Sequence, residues 1–84
     1  MPRYYIDSDD GDLRDIDEAG FDLSGPAEAR ITAIDVLPDM ARDKLPDGDR
    51  RTFSVRVRDE HGTVLYSAEL ALVGEWHVPP PKET

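Results

Sequence analysis

Residues 52–73 constrain the fold of this chain more than any other stretch. Phe53, Val55 and Val57 alternate with Ser54, Arg56 and Arg58, which is the period of a half-buried strand. Asp59, Glu60, His61 and Gly62 form a turn, after which Val64, Tyr66, Ala68, Leu70 and Leu72 alternate again. The pattern predicts a β-hairpin in which Arg58 faces Thr63, Val57 faces Val64, Val55 faces Tyr66 and Phe53 faces Ala68. That register places every apolar pair on one face, so a slip by one residue would expose them all.

The rest of the chain supplies the cover for that face. Residues 3–8 read as a first strand, with Tyr4 and Ile6 on one side and Tyr5 and Asp7 on the other. Asp9, Asp10, Gly11 and Asp12 make a turn, because Asp and Gly accept the backbone angles of tight reversals. Leu13, Ile16, Phe21 and Leu23 anchor a short, irregular second strand within residues 12–17 or 20–23. A helix follows. Ser24 or Gly25 caps it, Pro26 suits its first turn, and Glu28 favours the positive end of its dipole. Ala29, Ala33, Val36, Leu37, Met40, Ala41 and Leu45 form an apolar stripe broadened by Ile31 and Ile34. Pro46, Asp47 and Gly48 stop it. Pro38 removes the bond to the Ile34 carbonyl, so the helix either kinks there or ends there; the stripe stays in phase across the proline, which favours a kink.

The order strand, strand, helix, strand, strand predicts an α+β fold, ββαββ, with one helix packed on a four-stranded, mainly antiparallel sheet. Two strand orders fit: a grasp-like sheet with the first and last strands central and parallel, or a fully antiparallel one. Leu70, Ala71, Leu72 and Val73 are apolar on both faces, which favours a central last strand. Residues 1–78 are expected to form one domain, and residues 79–84 a disordered, proline-rich tail.

Composition narrows the function. Residues 1–49 hold 14 acidic and 5 basic side chains, while residues 50–84 hold 5 of each. The whole net charge of −9 therefore belongs to the N-terminal half, and such a field repels phosphate backbones, so nucleic acid is not an expected partner. Without cysteine there is no disulfide, thiolate chemistry or cysteine-held zinc. No apolar run approaches the roughly 18 residues of a membrane span, and the first residues lack the pattern of a signal peptide. A cytoplasmic protein with no membrane partner is the expectation.

Reactive constellations are lacking. Asp7, Asp9, Asp10 and Asp12 surround Gly11, but the helix-loop-helix calcium pattern needs an acid five residues before the glycine, where Ile6 stands. His61 and His77 fit no zinc spacing. Ser8, Ser24, Ser54 and Ser67 lie in no nucleophile elbow, and the adjacent Asp17 and Glu18 are ordinary in so acidic a chain. No enzyme, cofactor, metal or small-molecule substrate is expected. The most suggestive surface is the hairpin face turned away from the helix. Arg56, Arg58, Leu65, Ala71 and Val73, with Arg51 and Arg50 nearby, combine the one basic cluster with apolar side chains. That face is a candidate contact for a protein partner or a second copy; alternatively the arginine stems simply cover the apolar residues.

The opening Met1-Pro2-Arg3-Tyr4-Tyr5-Ile6-Asp7, with Asp10-Gly11, Asp17-Glu18-x-Gly20-x-x-Leu23, Ala27-Glu28-Ala29-Arg30 and Met40-Ala41-Arg42-Asp43, resembles a family of short, uncharacterised alphaproteobacterial proteins known only as a domain of unknown function. The resemblance covers roughly residues 1–73 and includes Val57-Arg58-Asp59-Glu60-x-Gly62; Pro38 and the proline-rich tail depart from it. It implies no site residues. A more distant likeness is to antitoxins of the HicB type, which open with tyrosine-rich strands, an acidic turn and a helix beginning Glu-Ala. The chain lacks their Pro-Asp-Leu-Pro-Gly stretch and any appended DNA-binding segment. The leading expectation is a noncatalytic interaction module, self-associating through its sheet face or edge. The alternative is an antitoxin-like or regulatory protein that binds a basic partner through its acidic N-terminal half.

Overall fold

A computed structural model describes residues 1–45 and 48–82 of the chain. Strand β1 (Arg3–Asp9) is followed by two-residue strands β2 (Arg14–Asp15) and β3 (Phe21–Asp22), helix α1 (Pro26–Lys44), and the long strands β4 (Arg50–Arg58) and β5 (Val64–Val73). All pairings are antiparallel, in the order β2-β1-β4-β5, with β3 also on β1. The chain is thus an α+β fold with one helix on one face of the sheet. Residues 74–82 carry no regular secondary structure, and Pro46, Asp47, Glu83 and Thr84 lie outside the described residues.

Tyr4 and Ile6 of β1 and Phe53, Val55 and Val57 of β4 are buried against Ala29, Ala33, Leu37 and Ala41 of α1, with Leu23 closing the core. Three of the four buried helix residues are alanines, whose small side chains let the helix lie close to the strands. Glu28 holds the start of α1 by accepting from the Ser24 backbone N–H at 3.2 Å and from the Ser24 hydroxyl. Pro38 sits inside a continuous 19-residue helix, so the helix does not end there. Its ring is exposed, where water can satisfy the carbonyl it leaves free. Ile31, read as part of the apolar stripe, is 57% exposed.

The last strand is not central. It forms an edge of the sheet, and β1 and β4 lie inside. Opposite charges favour this order: only with β1 beside β4 does Asp7 stand directly across from Arg56 and diagonal to Arg58. The hairpin register also differs from the expected one. Val57 pairs with Tyr66, Val55 with Ala68 and Phe53 with Leu70, while Arg58 pairs with Val64 across a bulge that leaves Leu65 over. The turn causes this. The Asp59 N–H donates to the Thr63 carbonyl, and the Asp59 carboxylate accepts from the N–H groups of His61 and Thr63. Gly62, at φ 82°, completes the reversal with its N–H on the Asp59 carbonyl. The displacement is two residues, so Tyr66, Ala68 and Leu70 keep the helix-side face. Val64, expected on that face, is instead exposed opposite Arg58.

Leu37 is the one large aliphatic side chain among the fully covered positions of α1. Leu37→Ala is expected to lower unfolding free energy by about 2–4 kcal/mol, whereas Ile31→Ala should cost less than about 0.5 kcal/mol. Urea titration followed by circular dichroism measures both.

Candidate functional site: the open sheet face and its edge

The helix covers one side of the sheet, and the opposite side carries a charge cluster built around a buried aspartate. Asp7 is 4% exposed. Arg58 donates to it through Nε at 2.7 Å and Nη2 at 2.9 Å, and Arg56 through Nη2 at 2.8 Å and Nε at 3.1 Å. The Asp17 N–H adds a bond at 3.0 Å. Burial by itself pushes the Asp7 carboxyl up, but the bonds from Arg58, Arg56 and the Asp17 N–H outweigh it and hold the group at about 2. The same contact raises Arg58, whose guanidinium carbon lies 5.3 Å from the centre of the Tyr5 ring.

Asp17 extends this cluster into the backbone. Its carboxylate accepts from the N–H groups of Ile6, Ala19 and Gly20, and its carbonyl accepts from Arg58 Nη2. It therefore fills the gap in the β1 ladder between β2 and β3, which act as one interrupted edge strand. Gly20 has φ 78°, and a Cβ there would lie 2.7 Å from the Arg3 Cγ and 3.0 Å from the Tyr5 ring. The acidic turn is tied down as well. The Asp10 carboxylate accepts from the N–H groups of Leu13 and Asp12, which hold it below the usual carboxylate range.

The residues singled out from the sequence separate into three groups. Arg56 and Arg58 share the outward face but are joined to Asp7. Arg51 is on the other face, with the parity of Phe53. Its side chain bonds the Asp10 carbonyl and Asp12 carboxylate, each at 2.6 Å, and lies over the Phe53 ring. Leu65, Ala71 and Val73 are exposed along the outer strand β5. Between the groups is a shallow depression of about 490 Å³ lined by Asp7, Arg56, Ser54, Ser67, Glu69 and Arg14 among others. A second hollow, about 630 Å³, lies on the helix side between Val36 and the β2–β3 segment. Ile16 and Phe21 are exposed there beside Asp15 and Glu18.

The two edges of the sheet differ sharply. Beyond β1 the edge consists of two-residue strands with a carboxylate between them, a form that blunts further pairing. Beyond β5 the edge is 10 residues long and carries one charge, Glu69. Leu65 is 43% exposed and Val73 67%. The sequence reading missed Asp7 and Asp17 as structural groups. The signal for Asp7 was available: an acid in the middle of an alternating strand matches two arginines spaced by two on another. Nothing local marks Asp17, whose partners lie in β1 and β4.

A protein-family model described as a domain of unknown function, DUF6894, matches residues 3–71. The chain belongs to this family. No curated protein and no solved structure matches it. The match spans the whole sheet except the end of β5, so the Asp7–Arg56–Arg58 cluster and the helix lie inside the family domain. No helix among the described residues is long and apolar enough to cross a membrane.

The depressed Asp7 pKa has a consequence for stability. Since the folded value (about 2) lies below the unfolded one (3.8), the cluster contributes about 2 kcal/mol at neutral pH. This contribution is complete above about pH 5 and is lost as pH falls toward 2. Asp7→Asn should cost about 2 kcal/mol at neutral pH, since Arg56 and Arg58 can turn to solvent once the carboxylate is gone, and it should flatten the acid limb of a stability–pH curve measured by urea unfolding.

Proposed function

We propose that this protein is a small noncatalytic interaction module that associates with a second copy of itself through the β5 edge. The observation that carries the reading is the contrast between the two edges. A long, apolar strand with an open row of backbone donors and acceptors recruits another strand unless something blunts it, and β5 holds one charged residue in ten. The outward arginines support a contact role for β5 rather than for the face as a whole, because Arg56 and Arg58 are already joined to Asp7. Edge pairing with an identical strand is self-complementary and closes as a twofold dimer.

Sedimentation equilibrium at tens of micromolar is expected to give a dimer. Replacing Leu65 and Ala71 together by lysine places four charges in the paired edge and should weaken it about a hundredfold, two tenfold steps of about 1.4 kcal/mol. Measured at concentrations low enough that the wild type is also monomeric, urea stability of the variant should change little, since both positions are exposed. A wild-type protein that remains a monomer at hundreds of micromolar sinks the proposal.

A second reading is favoured by the helix-side hollow. Ile16, Phe21 and Val36 offer apolar contact beside Asp15 and Glu18, and no basic residue lines it. Such a surface suits a cationic protein segment with apolar side chains, which would be the physical form of an antitoxin-like or regulatory role. Capture of a basic partner that is lost on Ile16→Ser with Phe21→Ser, and retained on Leu65→Lys with Ala71→Lys, would favour this reading over the first.

A further inference from the structure

Resting on the self-association reading, we infer the register of the dimer: β5 pairs antiparallel with β5 of a second copy about Ala68, so that Ala68 faces its own equivalent. The hydrogen-bond parity of the strand comes first. The Gly74 N–H donates to the Asp49 carbonyl at 2.6 Å, so even-numbered positions of β5 address β4. The N–H and C=O groups of Ser67, Glu69 and Ala71, on the C-terminal side of the bulge at Leu65, therefore point out of the free edge. Two such strands can exchange bonds only if odd positions meet odd positions, and this same rule keeps the outward side chains of both copies on one face.

That leaves registers that differ by two residues. With Glu69 opposite Glu69 of the second copy, two carboxylates face each other at the centre of the interface, which is destabilising. With Ser67 opposite itself, Leu65 faces Glu69. In the register about Ala68, Leu65 faces Ala71, Tyr66 faces Leu70, and Glu69 faces the Ser67 hydroxyl, each pair made twice by symmetry. This arrangement separates the carboxylates and places apolar side chains opposite apolar ones on both faces. Both helices then lie on the same side of one continuous sheet, and the strand order β2-β1-β4-β5 of one copy runs on into its reverse in the other.

The absence of cysteine makes the register directly readable. In the inferred dimer Ala68 and its equivalent are a non-hydrogen-bonded pair, with Cα atoms about 4.5 Å apart, close enough for a disulfide. Three single variants, Ser67→Cys, Ala68→Cys and Glu69→Cys, report the three neighbouring registers under mild oxidation on non-reducing gels. Ala68→Cys should cross-link to a dimer at least about tenfold faster than the other two. The pair Leu65→Cys with Ala71→Cys should also cross-link between copies, which covers the case that a cysteine at 68 disturbs the helix-side packing. A dimer by sedimentation with cross-linking fastest at 67 or 69, or equal at all three, overturns the register and leaves self-association standing. A wild-type monomer overturns both.

Discussion

The carboxylate of Asp7, held between Arg56 and Arg58, is the contact on which the rest of the structure depends. It lies in β1 and is itself buried, while its partners lie in β4 and keep part of their side chains in solvent. Two arginines side by side on one strand would repel, and a buried aspartate alone would be costly. Together they settle which strand lies beside which. Once β1 is beside β4, β5 has no place left but the edge. The acidic loop follows from the same contact, because the Asp17 N–H and carbonyl bind the two sides of this cluster while its carboxylate fills the β1 ladder.

A chain of 84 residues with one helix can cover only one face of its sheet. Its core is modest: three alanines and one leucine from the helix meet three large side chains of β4 and two of β1. A domain of this size gains only a few kcal/mol from such a core. The opposite face is stabilised by charge rather than by apolar burial. The many acids of the N-terminal half are for this reason less a free negative surface than a set of acceptors. Asp7, Asp10, Asp12, Asp17 and Asp22 each bind an arginine or backbone N–H groups. Among the described residues, the outer edge of β5 and the apolar hollow at Ile16 and Phe21 stay open.

Much of the fold is legible in residue order. Alternation in residues 53–57 marks β4, four-residue spacing of Ala29, Ala33, Leu37 and Ala41 marks the helix, and Pro26 with Glu28 marks its start. The candidate surface is less legible. Leu65, Ala71 and Val73 are on the exposed strand face as their parity implies. Arg51 is not, since it shares the parity of Phe53 and its head is drawn to the acidic turn. Proximity in sequence grouped it with Arg56 and Arg58; strand parity separates them. The hairpin register was displaced because the Asp59 side chain organises the turn, a hydrogen-bond pattern that alternation cannot show.

By itself the sequence determined the α+β class, the strand and helix faces, and the excess of acid in the first half. These are local matters, set by side-chain period and by turn and cap chemistry over a few residues. Tertiary structure alone decided the strand order, the enclosure of Asp7 and the exposure of the β5 edge. Each rests on contacts between residues about 50 positions apart, such as Asp7 with Arg56 and Arg58, and no local pattern states which distant partner a charge or a strand edge will meet.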